Sequence, residues 1–163
     1  RQALSDFAFR AMESLRKENL YTGRVTVYLR TAPMGKPQQL FPDTLSAALS
    51  PATADTRVVV HQALALLAQL WKPGYRYGKA GVILTDLRGR DQIQDGLFAQ
   101  QGEPDDRGNA LMTVMDTINQ SGAGKVWLAG RGMQTDQRSA WAMRRAHLSP
   151  AYTSRWCDLP VAR

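Results

Sequence analysis

Apolar residues recur at steps of three and four through Leu4, Phe7, Ala8, Ala11 and Leu15, a period that predicts an amphipathic helix over residues 3–18, ending near Asn19. The period then shortens to two. Val25, Val27 and Leu29 alternate with Arg24, Thr26, Tyr28 and Arg30 across residues 24–31, as a strand with one buried and one wet face requires. Pro33, Gly35 and Pro37 break that strand, and a second extended stretch is expected from about Gln39 to Ser50, stopped by Pro51. Asp55 is positioned to cap the next helix. Its apolar stripe is Val59, Ala63, Leu66, Leu67 and Leu70, and Pro73-Gly74 closes it near Trp71. Residues 75–87 read as a last strand. Helix, strand, strand, helix, strand is the order of a small α+β domain, expected over residues 1–88.

Beyond residue 88 the pattern loosens. Residues 89–108 have no apolar period and many polar residues, the composition of a linker. Leu111, Val114, Met115 and Ile118 then fit a short helix, and Gly122 with Gly124 turns the chain into Lys125-Val126-Trp127-Leu128-Ala129. A further helix is expected around Ser139 to His147. Residues 109–163 thus form a second, small α/β unit, in which Trp127, Trp141, Met143, Tyr152 and Trp156 are expected mainly in the core, since aromatics bury large areas in small domains.

Charge changes the picture once it is mapped. Residues 1–90 hold thirteen Lys/Arg against six Asp/Glu, residues 91–106 hold five acids and no base, and residues 107–163 hold eight bases against three acids. The net charge of +7 therefore conceals two basic parts and an acidic joint. Two basic modules point to a polyanion, most often nucleic acid, which the joint would repel. The single cysteine, Cys157, excludes an internal disulfide and fits a reducing cytoplasm. No apolar run approaches the length of a membrane span, and the start at Arg1 has neither an initiator Met nor a signal segment, so the chain reads as a fragment of something longer.

Inside the acidic joint lies Gln94-Asp95-Gly96-Leu97-Phe98. A Gln that hydrogen-bonds in both directions, followed by a Leu-Phe pair in a stretch unable to bury them, is what a short peptide needs to dock into an apolar groove on a partner.

Four segments occur in one order: Tyr75-Arg76-Tyr77-Gly78-Lys79-Ala80-Gly81-Val82, the pentapeptide 94–98, Leu111-Met112-Thr113-Val114-Met115-Asp116, and the block from Met143 to Thr153. Together they resemble the C-terminal part of the UmuC-type catalytic subunits of bacterial DNA polymerase V, Y-family translesion polymerases of the SOS response. The resemblance runs the whole chain. It implies a little-finger domain over residues 1–88, a small mixed sheet with two helices on one face, then a linker over 89–108 that binds the replication sliding clamp, then the small terminal domain at 109–163. The family's little finger begins with a strand that this chain lacks, which leaves an open sheet edge. The palm, with its metal-binding carboxylates, would precede this region, so the resemblance implies no catalytic, cofactor or metal site here, while the parent polymerase would use Mg.

The resemblance also assigns sites and partners. Arg24, Thr26, Tyr28 and Arg30, with Arg76 and Lys79 on the last strand, would lie against the phosphates of primer-template DNA, because hydroxyls, guanidinium groups and strand N–H groups bind phosphate oxygens without reading bases. Gln94, Leu97 and Phe98 match the clamp-binding pattern; Asp95 replaces its usual aliphatic residue, so binding near micromolar, about −8 kcal/mol, is expected. A UmuD-type accessory subunit and the RecA filament are further partners it implies, and Arg144 and Arg145 could face either DNA or that filament. The location implied is the bacterial cytoplasm. Two other readings compete: an inactive paralogue that bridges clamp and repair proteins, and a free-standing basic DNA-binding module without clamp affinity.

Enzyme-like signals fail on inspection. Ser14-Leu15-Arg16-Lys17 spells S-x-x-K without an accompanying K-T-G. His61 and His147 lack partners at ligand spacing, nothing in the linker positions a metal at Asp105-Asp106, and Gly78-Lys79-Ala80-Gly81 is no phosphate loop.

Overall fold

The structure is a computed structural model that describes residues 1–31, 42–93, 106–132, 141 and 149–159. Its elements are α1 (Gln2–Lys17), β1 (Leu20–Thr31), β2 (Pro42–Thr53), α2 (Thr56–Leu70), β3 (Tyr77–Gly89) and α3 (Asp106–Ser121), with short 3-10 turns at Arg90–Gln92, Ala129–Arg131 and Trp156–Asp158. The chain divides into two compact units, Arg1–Met133 and Gln134–Arg163.

In the first unit the predicted order of the first five elements is borne out. Asn19, at φ 55°, ends α1 in the left-handed conformation that Asn tolerates. Asp55 caps α2 as expected: its Oδ1 accepts the Arg57 backbone N–H at 2.7 Å. The three strands form one antiparallel sheet in the order β2-β1-β3. Val25, Val27 and Leu29 of the central strand are buried under both helices, against Leu4, Met12 and Leu15 of α1 and Val59, Ala63, Leu66, Leu67 and Leu70 of α2. Full burial of such a side chain stabilises by roughly 1.5–3 kcal/mol, so this single face of β1 anchors the sheet to the helix layer. Both helices lie on one side of the sheet, as the fold class requires.

Pro51 does not end β2, contrary to the expectation. The strand runs on to Thr53 through a register irregularity between the Arg24↔Ala48 and Thr22↔Thr53 pairs. Proline is tolerated there because β2 is an edge strand, and at an edge or bulge its missing N–H breaks no ladder. A second irregularity, between the Arg30↔Lys79 and Thr31↔Tyr77 pairs, leaves Gly78 as an extra residue in β3.

α3 lies in the same compact unit and packs on α1. Met112 and Met115 close over Phe9, with Leu128 beside them. The Arg16 guanidinium donates to both carboxylate oxygens of Asp116 (2.6 and 2.9 Å) and to Thr56 Oγ1 at 2.7 Å. Arg131 donates to Asp6 Oδ1 at 2.6 Å and lies over the Phe9 ring, 4.5 Å from its centroid. α1 is thus apolar on two sides, one toward the sheet and one toward α3. The expected short helix at 111–118 exists and is longer, Asp106–Ser121. Lys125 to Leu128 joins no sheet among the described residues, because Asn119 takes the place of a strand partner: its amide accepts the Val126 N–H at 2.7 Å and donates to the Val126 carbonyl at 2.9 Å.

In the second unit, the Ala151 N–H donates to Asp158 at 2.8 Å across a tight turn. Trp156 is 89% exposed and Tyr152 is exposed, so neither is the core residue expected. The stretch that holds them is a run of turns with no buried residue among those described, which gives an aromatic ring nothing to pack into. Met143 and the helix expected around Ser139 to His147 lie outside the described residues, Trp141 excepted.

Candidate nucleic-acid interface on the open sheet face

Period-two alternation forces the side of β1 opposite its buried valines to face away from the helices. Arg24 and Arg30 are exposed there, and Thr26 and Tyr28 are half-buried. Cross-strand pairing extends this row into a surface. Arg24 stands opposite Ala48 of β2 and Thr85 of β3, Thr26 opposite Ser46 and Ile83, Tyr28 opposite Thr44 and Gly81, and Arg30 opposite Lys79. The middle of the face is therefore hydroxyl-rich, and cations stand at its two ends. Six residues of strand separate Arg24 from Arg30, about 20 Å at the usual rise.

Two local features shape the face. Thr26 and Ser46 share a hydrogen bond at 2.8 Å, which fixes both hydroxyls across the strand boundary. A Cβ at Gly81 would overlap the Tyr28 ring, so the absence of a side chain there lets the phenol lie flat across β3. The Gly78 bulge decides where Lys79 points. In a regular strand Tyr77 and Lys79 would share a face; the extra residue lets Tyr77 pack toward the core while Lys79 pairs with Arg30 on the open side. Arg76 is exposed immediately before β3 rather than within it. Five of the six expected DNA-facing residues thus share one surface, and Arg76 adjoins its basic end. Among the described residues neither Arg24 nor Arg30 is engaged in an ion pair.

Chemically the face offers a row of guanidinium, ammonium and hydroxyl donors. Groups of these kinds donate to phosphate oxygens. Ile83, which sequence reasoning passed over, is 47% exposed in the middle of the face. Its signal was available in the alternation of β3. Among the described residues no group of His, Cys, Asp or Glu is placed to hold a metal ion, and no helix is long and apolar enough to cross a membrane. His61 is exposed on α2. Gln94, Leu97 and Phe98, like Arg144, Arg145 and His147, lie outside the described residues; Ile93, the last before that segment, is half-buried behind the turn at Arg90–Gln92.

Comparison with known proteins shows the family of the chain. Residues 1–97 match the C-terminal domain of the impB/mucB/samB family, and residues 109–162 match a domain of unknown function, DUF4113. The chain belongs to the impB/mucB/samB family. It is 40% identical to protein ImpB of Salmonella typhimurium over 99% of its length, 39% identical to protein SamB of the same organism over 100%, and 35% identical to UmuC of Salmonella typhimurium strain LT2 over 98%. The UmuC-like character expected from the four sequence segments is thus borne out. In each case the chain spans 37% of the relative's length.

Proposed function

We propose that this chain is the non-catalytic C-terminal part of an error-prone translesion DNA polymerase of the pol V type. It holds primer-template DNA through the open sheet face and the sliding clamp through Gln94, Leu97 and Phe98. One observation carries the reading: the central strand turns its apolar residues wholly to the helices and keeps Arg24, Thr26, Tyr28 and Arg30 on the uncovered side, in register with Ser46, Thr44 and Lys79. Contact of this kind is sequence-blind, which suits an enzyme that must pass damaged bases. It is also weak, and a tether to the clamp compensates by raising the local concentration of the polymerase at the primer end. Catalysis, with Mg held by palm carboxylates, belongs to the part of the parent that this chain does not include. A UmuD-type subunit and the RecA filament are further partners of the parent in this reading, which places its work on bacterial DNA in the cytoplasm.

Two measurements test it. Fluorescence anisotropy with a labelled blunt duplex is expected to show about a tenfold weaker affinity for Arg24→Ala with Arg30→Ala, and equal affinity overturns the DNA-binding face. Leu97→Ala with Phe98→Ala is expected to abolish binding to the isolated sliding clamp; unchanged affinity removes the tether.

A further inference from the structure

The connection between α2 and β3 holds a large aromatic surface in the open. Trp71 is 54% exposed although its neighbours Leu67 and Leu70 are buried. It is held by a ring contact with Tyr77, the centroids 4.6 Å apart and the planes tilted by 37°. Tyr77 is itself fixed: its hydroxyl accepts the Lys72 backbone N–H at 2.9 Å and lies 3.3 Å from the Lys72 carbonyl, to which it donates. Gly74, at φ 85°, makes the turn that brings the two rings together. Next to the indole is a recess of about 340 Å³ lined by Arg1, Leu67, Ala68 and Trp71.

Position and charge say what fits. Tyr77 pairs with Thr31, next to the Arg30↔Lys79 pair, so this corner adjoins the basic end of the open face. Arg1 lines the recess, Arg76 is exposed next to Tyr77 in the chain, Lys79 is exposed on the open side of the sheet beyond the Gly78 bulge, and the acid Asp43 is engaged by Lys72 at 3.4 Å. A rigid, exposed indole among cations is how proteins hold unpaired nucleic-acid bases, which stack on aromatic rings while their phosphates meet Lys and Arg. Every base offers a π-face, so such a platform needs no sequence.

We propose that Trp71, backed by Tyr77, is a stacking site for an unpaired base of single-stranded DNA at the edge of the duplex-binding face. The proposal rests on the reading of that face as a DNA surface. A strand leaving the duplex past Arg30 and Lys79 turns the corner of the sheet and lays a base on the indole.

The test uses the whole 163-residue chain. Anisotropy at fixed salt compares labelled ten-nucleotide oligo-dT with a labelled blunt duplex. Trp71→Ala is expected to weaken oligo-dT binding about tenfold while Trp71→Phe stays within about threefold of wild type, as loss and retention of a stacking ring predict. Blunt-duplex binding is expected to be the same in all three. The Arg24→Ala, Arg30→Ala variant is expected to show the opposite bias, losing more on the duplex, so failure of the face and failure of the platform give different results. Irradiation of oligo-dT carrying 5-iodouracil is expected to cross-link the wild type at Trp71, read by mass spectrometry of the peptide. The proposal is overturned by wild-type chain that does not bind oligo-dT, by Trp71→Ala equal to wild type, by Trp71→Phe as weak as Trp71→Ala, or by cross-links only at other residues.

Discussion

Two sets of arginines divide this molecule. On the helix side Arg16 and Arg131 are 11% and 13% exposed, and each closes on a carboxylate, Asp116 or Asp6, at 2.6 Å. On the sheet side Arg24 and Arg30 stand exposed at the two ends of a hydroxyl-rich surface. The side chain is the same and the task is different. A guanidinium whose donors are spent on a shielded carboxylate has little left for a ligand; Arg16 fastens α3 to α1, and Arg131 fastens the turn at Ala129–Arg131 to α1. Net charge counts both kinds alike, so the +7 of the whole chain says less about DNA than the local inventory of the open face.

The comparison can be broken on either side. The largest effect on stability is expected from Asp116→Ala, which removes the one carboxylate among the described residues facing the partly buried Arg16 guanidinium and leaves it only the Thr56 hydroxyl and the Ala54 carbonyl as acceptors. A loss of about 3 kcal/mol is expected in urea unfolding, with blunt-duplex affinity unchanged. If DNA affinity fell as much, the two sets would not be separate. Arg24→Ala with Arg30→Ala is expected to do the reverse: duplex affinity falls about tenfold while the urea midpoint stays put, because exposed charges contribute little to stability. Asp55→Ala removes the cap of α2 and is expected to cost about 1–2 kcal/mol without touching DNA binding. Thr26→Ala sharpens the contrast at its smallest: it deletes one hydroxyl from the face and the bond to Ser46, and an affinity loss of about twofold to threefold at nearly constant stability is expected.

The helix-to-sheet part of the fold was legible in the chain because burial there follows simple periods. Val25, Val27 and Leu29 announce one face of β1, and the same alternation hands Arg24, Thr26, Tyr28 and Arg30 to the other. The asymmetry of α1 was legible only in part. Phe9 falls off the expected stripe because α1 serves two layers and a single-stripe reading discards the second, whereas Met12, also passed over, packs with Leu4 and Leu15 toward the sheet. No period signals the docking of α3, which depends on Arg16 meeting Asp116 a hundred residues away in sequence. Glycine roles were equally hidden: Gly78 as a bulge and Gly81 as the bed of the Tyr28 ring are facts of pairing, not of composition. Pro51 misled because a proline stops a central strand and merely marks an edge one. Trp156 misled because aromatic residues predict a core only where there is enough chain around them to build one.

The most direct test of the open face is the salt dependence of its affinity for duplex DNA. A surface that neutralises four to six phosphates predicts that log K falls with log salt at a slope of about −4 to −5, and that Arg24→Ala with Arg30→Ala makes the slope shallower by about 2. A slope near zero for the wild type, or one that the double substitution leaves unchanged, contradicts the account.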